Sequence, residues 1–177
     1  MKSPIALCLL ILLYAGVARA EPLPLWAIVD ESDAIVHGTL TDVISWSVMP
    51  RAFAWLAEAS PLFNPLFTVH GRGALIVEES FVGPLQPGDR IWLEWARPIE
   101  AESIDCPPPL YIEKLAGRKG LWLLHGTGGN PVVYDFWDLD NADSLEYVER
   151  ELDLDDASER VRLMRNIVLE HLDRVRN

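Results

Sequence analysis

Asp33-Ala34-Ile35-Val36-His37-Gly38-Thr39-Leu40-Thr41-Asp42-Val43 alternates in a way that only a β-strand uses well. Ala34, Val36, Gly38, Leu40 and Asp42 fall on one face; Ile35, His37, Thr39, Thr41 and Val43 fall on the other. A glycine in the middle of such a run marks a bulge or a sharp bend, the device that turns a strand around a tight corner. Working outward, Gly73 to Val82 reads as a second strand, ended by the turn Gly83-Pro84-Leu85-Gln86-Pro87-Gly88-Asp89. Arg90 to Ala96 is a third, with Ile91, Leu93 and Trp95 on one face and Trp92 and Glu94 on the other. Gly120 to His125 is a fourth. The loop Gly126-Thr127-Gly128-Gly129-Asn130, whose residues tolerate positive φ, leads to a fifth from Val132 to Trp137.

Five short strands with Gly- and Pro-rich turns predict a mainly β fold with added helices: a closed, five-stranded OB-like barrel over residues 21–141. Two segments stand outside it. Residues 46–67, between the first and second strands, form an unusually apolar insertion, and Arg51 to Ala59 has the makings of a short helix stopped by Ser60-Pro61. Residues 142–177 read as a helical tail packed on the barrel or on a partner. Asp143 with Glu146, and Asp156 with Glu159, fit capping boxes. Val161, Met164, Ile167, Val168, Leu172 and Val175 then form a wide apolar arc that needs covering.

Met1 to Ala20 reads as an export signal. Lys2 supplies the positive start, Ile5 to Val17 the apolar run, and Ala18-Arg19-Ala20 a small-residue cleavage site. The run is too short for a membrane span, so the expectation is an exported domain, periplasmic or extracellular, with no span after cleavage. The net charge is −12, from 15 basic against 27 acidic side chains. The leader takes Lys2 and Arg19 but no acid with it, so the mature chain is more acidic still. That balance argues against nucleic acid, which is bound through Lys and Arg contacts to phosphates, and against charge-driven docking on anionic lipid. Cys8 belongs to the leader, leaving Cys106 as a lone thiol. The alternatives for it are a buried, inert group beside Pro107-Pro108-Pro109 or an intermolecular disulfide.

Three stretches also resemble a known group. Ser32-Asp33-Ala34-Ile35-Val36-His37-Gly38-Thr39-Leu40, then Ala74-Leu75-Ile76-Val77-Glu78-Glu79-Ser80-Phe81-Val82-Gly83, then Gly88-Asp89-Arg90-Ile91-Trp92-Leu93 are similar to exported bacterial barrels. These are related to the tissue-inhibitor-of-metalloproteinases/netrin-like group. Gly117 to Leu124 resembles a later strand of the same pattern. The resemblance runs from about Ala27 to Phe136 and implies a fold more than an activity. The animal inhibitors clamp a protease zinc with an N-terminal cysteine. The mature chain here begins Glu21-Pro22-Leu23-Pro24, so no residue carries that function across.

Reactive constellations are thin. His37, His70, His125 and His171 form no close pair in sequence, and no cysteine cluster accompanies them; a metal site would have to be assembled in three dimensions. Asp135, Asp138, Asp140, Asn141 and Asp143 invite calcium, but Ala142 and Asp143 occupy the wrong positions of the EF-hand loop, and helix capping explains the acids. The glycine loop has Pro131 at the third glycine position and no Lys-Ser/Thr pair, so it reads as a hairpin turn. Ser60, Ser80, Ser103 and Ser144 lack a nucleophile-elbow context. Glu78 and Glu79 point to opposite faces.

The aromatics are the remaining signal. Phe53, Trp55, Leu56, Phe63 and Phe67 exceed what a connection usually shows to solvent; burial under the tail is the competing reading. Trp92 alternates with Ile91 and Leu93, so it is a tryptophan able to face outward, unless the tail covers it. These six residues are the candidate interaction surface. The sequence therefore predicts a non-catalytic binding or assembly module without cofactor or metal, whose partner is another exported protein. A homodimer through the tail or Cys106 is a further option. The alternative function is an inhibitor or regulator of an extracellular or periplasmic hydrolase.

Overall fold

The computed structural model describes residues 23–47, 68–98, 112–126, 131–152 and 157–177. Helix α1 (Leu25–Glu31) leads into strand β1 (Ala34–Ser47). β2 (Thr68–Val82), β3 (Arg90–Pro98), a 3₁₀ turn at Ile112–Leu115, β4 (Lys119–His125) and β5 (Val132–Asp138) follow. Helices α2 (Ala142–Glu151) and α3 (Glu159–Arg176) end the chain.

All ladders are antiparallel and the strand order is β3-β2-β1-β4-β5. The expectation of a closed barrel is corrected here. β3 pairs only with β2 and β5 only with β4, so the sheet is open with two edges among the described residues. Its inner face is instead filled by side chains: Val36, Leu40, Leu75, Leu93, Trp122 and Leu124 are fully buried there, with Trp95 and Phe136 against them. The expected helix between the first two strands is corrected too. The helix flanking the start of the sheet is α1, before β1, and β1 itself runs on through Trp46 to Ser47. Arg51 to Ala59, the stretch expected to be helical, lies outside the described residues, as do Met1 to Ala20, expected to be a leader, and Cys106.

β1 outlasts its expected end at Val43 because Asp42 adopts φ 52°, and the β1–β2 register shifts between Thr41 and Ile44. The bulge swaps the parity of the strand, so Val43 joins the inner core while Ile44 and Trp46 turn outward. Gly38 has a different role. A Cβ there would stand 2.4 Å from the Ile76 carbonyl oxygen, so only glycine lets β2 cross so closely.

A second core lies between the outer face of the sheet and the helices. Ile35, Leu121, Leu123 and Trp137 pack against Val29 of α1, Leu145 and Val148 of α2, and Val161, Met164, Val168 and Leu172 of α3. β4 therefore reads as a continuous apolar run, Leu121 to Leu124 all buried, because it has a core on each side. The apolar arc of α3 is covered by its own chain from Val161 to Leu172, while Val175 stays 41% exposed. α2 is capped by Asn141, whose side chain accepts from the Ser144 amide, and α3 by Ser158, which accepts from Val161. Asp143 and Asp156 were the expected caps. Asn141 and Ser158 sit where a side-chain oxygen reaches the third amide of the new turn, so they take the role. Ser158 also donates to Asp30 at 2.6 Å, and Arg160 donates to the Asp30 and Ser32 carbonyls at the end of α1. The helices are thereby clamped to one another and to the end of the sheet that holds Ile35.

Candidate functional site

The helix layer stops short of the other end of the sheet. On β2, His70, Arg72, Ala74, Ile76 and Glu78 alternate with Gly71, Gly73, Leu75 and Val77, so the first set shares the outer face. Cross-strand register then places its neighbours. Trp46 stands opposite His70, Ile44 and Glu94 stand on either side of Arg72, and Trp92 stands opposite Ala74. The result is an exposed face three strands wide. Ile44 is 53%, Trp46 49% and Trp92 42% exposed, whereas Trp122 and Trp137 are buried.

These side chains are held in place. The Trp46 indole stacks on the His70 ring with centroids 6.0 Å apart and planes inclined by 20°. Trp92 carries Arg72 at 5.5 Å and Arg90 at 5.1 Å from its ring centroid, both within cation–π range. Arg90 is itself anchored to Asp42 at 2.7 Å, across from the bulge that turns Trp46 outward. Beneath them, Gly71 makes room for Trp95: a Cβ there would meet the indole at 2.3 Å. Of the six expected interaction residues, Trp92 lies on this face, exposed rather than covered by the tail. Phe53, Trp55, Leu56, Phe63 and Phe67 lie outside the described residues. Ile44, Trp46, Arg72 and Arg90 were not foreseen. The signal for Trp46 was present in the aromatic itself but hidden by the parity change at Asp42.

A concave site of about 360 Å³ lies where β1, β4 and the end of α3 meet. His37, Lys119, Leu139, Asp140, His171, Arg174 and Val175 line it. The His37 and His171 rings, far apart in sequence, come within 6.4 Å, tilted by 60°. His171 Nδ1 lies 3.0 Å from the Ile167 carbonyl oxygen, an arrangement in which that nitrogen carries the proton and donates. Behind His37, Glu78 accepts from Thr39 at 3.0 Å and pairs with Lys119; its carboxylate is 3.9 Å from His37 Nδ1. The hydrogen bond from Lys119, with help from Thr39, holds the Glu78 carboxyl below its ordinary value. Burial pushes His37 down, with Lys119 and His171 acting in the same direction against the attraction of Glu78 and Glu79.

His125 and the acids Asp33, Asp135 and Asp138 have structural partners. His125 Nδ1 is 3.1 Å from Asp33, which also accepts from the Gly126 amide at 2.7 Å, and the His125 ring stacks on Tyr134. This clamp ties the start of β1 to the end of β4. Asp138 pairs with Arg118 at 2.9 Å. Asp135 accepts from the Phe136 amide and the Trp137 indole, and burial raises its carboxyl above the ordinary value. Among the described residues no group of three or more His, Cys, Asp or Glu side chains is placed to hold a metal ion, and no helix is long and apolar enough to cross a membrane. No known protein family, characterised protein or solved structure gave a significant match to the chain.

Proposed function

We propose that this chain is a non-catalytic binding or assembly module that engages another exported protein through the outer face of β1, β2 and β3. The observation that supports this most is the pair of half-exposed tryptophans, Trp46 and Trp92, braced by His70, Arg72 and Arg90 on a rigid sheet. Trp and Arg are the side chains that dominate the energetics of protein interfaces. Bracing them before contact lowers the entropy lost on binding. The leader-like start of the sequence supports an encounter outside the cytoplasm.

The test uses the mature protein as bait in extracts of its own cell envelope and medium, beside a Trp46→Ala/Trp92→Ala double variant. Loss of two such anchors weakens a true partner's retention by more than about tenfold, since each hot-spot truncation costs about 2 kcal/mol or more. Circular dichroism confirms that the variant is folded. Equal retention of the same proteins by both baits contradicts the proposal.

A further inference from the structure

We propose that the cleft between α3 and the sheet is an acid-sensitive latch: His37 and His171 hold the last turns of α3 down at neutral pH and release them on mild acidification. The geometry is the ground for this. One imidazole comes from β1 and one from α3, 6.4 Å apart, and they share their cleft with the cations Lys119 and Arg174. Histidine is the side chain that changes charge between about pH 5 and pH 7. A charge on half-buried His37 is opposed by its burial and by the nearby Lys119 and His171.

Among the acids facing the cleft Glu78 attracts a charged His37 most strongly, and burial outweighs that attraction. Glu78 on β2 is already bonded to Lys119 and Thr39. Glu170 on α3 is bonded to Arg174. Glu79 on β2 acts on His37 more weakly than Lys119 and His171 do. Asp140, in the turn after β5, is the carboxylate on the lining itself. The sign follows from burial: the folded state disfavours protonated His37. Closure is therefore complete above the ordinary imidazole range and is lost as pH falls through it.

The consequence is local. Met164 and Val168, fully buried nearer the start of α3, keep that part of the helix docked. Beyond Leu172 the helix is held by Arg174, by Val175, which is 41% exposed, and by an exposed Arg176–Glu146 pair. An exposed pair of that kind is worth little. Release uncovers Leu139 and Leu172, which become free for other contacts.

Amide hydrogen exchange on the full chain at about pH 7.5 and about pH 5, corrected for the intrinsic rate, reads the latch directly. Protection of the amides from His171 to Arg176 falls several-fold at the lower pH, while α2 is unaffected. His37→Gln and His171→Gln each blunt that fall, and His125→Gln does not. An unchanged protection ratio, a fall spread equally over α2 and α3, or a full response in His37→Gln overturns the proposal. A second readout needs no variant: in the wild-type protein the α3 amide shifts and the His37 ring proton follow one titration midpoint. Separate midpoints overturn it as well.

Discussion

Trp122→Phe probes the packing on which both surfaces depend. Trp122 is fully buried on β4, its ring 4.6 Å from Phe136 at 52°, and its indole nitrogen donates to the Gly38 carbonyl at 3.0 Å. Phenylalanine keeps an aromatic ring but loses the donor and part of the volume. Leaving a buried carbonyl without that bond costs about 1–3 kcal/mol. The space left in a close-packed core costs about 1–2 kcal/mol more. A total of roughly 2–5 kcal/mol corresponds to a drop in Tm of about 4–20 °C for a chain of this size. In urea the midpoint falls by about 1–2 M with the slope unchanged. Trp92→Phe, on the exposed face, is the control and changes stability by less than about 1 kcal/mol. If Trp122→Phe moves the midpoint no further than Trp92→Phe does, the two-core account of the sheet is wrong.

Ser158→Ala removes the α3 cap and the bond to Asp30 together, and lowers unfolding stability by about 1–2 kcal/mol. Hydrogen exchange locates the loss at the first turn of α3, and a loss confined to α2 would contradict it. Asp135→Asn tests the effect of burial on a carboxyl. Because the folded pKa of Asp135 is raised, its favourable contribution is complete below the ordinary carboxylate range and is lost as pH rises through the folded value. The stability advantage of wild type over Asp135→Asn therefore shrinks as pH rises from about 4 in urea unfolding. A widening gap contradicts the assignment.

Strand alternation was readable from residues alone. Ile35 and His37 do face away from Val36 and Gly38, and Trp92 does oppose Leu93, because a period of two follows from backbone pleating and needs no tertiary context. Closure was not readable. Whether β3 meets β5 depends on accumulated register and bulges, and the shifts at Thr41/Ile44 and Leu123/Leu124 leave no mark in composition. Helix α1 carries no start signal in its residues: its seven residues have no side-chain cap and no acid in the first turn. The two caps were misplaced by two residues each, since several polar residues in a row compete for one amide. The interaction face is half legible: alternation marks Trp92, while Trp46 falls in an expected connection because nothing in the sequence announces the positive φ of Asp42 that extends the strand. The His37–His171 cleft was invisible, because pairing β1 with α3 is a tertiary event that one sequence does not encode locally.

The central claim is that the helices cover one end of the sheet and leave Trp46 and Trp92 on an open face. Oxidative footprinting of the native protein, mapped tryptophan by tryptophan with mass spectrometry, tests it most directly. The account predicts rapid modification of Trp46 and Trp92 and protection of Trp122 and Trp137 until the protein unfolds. Protection of Trp46 and Trp92 in the isolated protein, or early modification of Trp122, would contradict it.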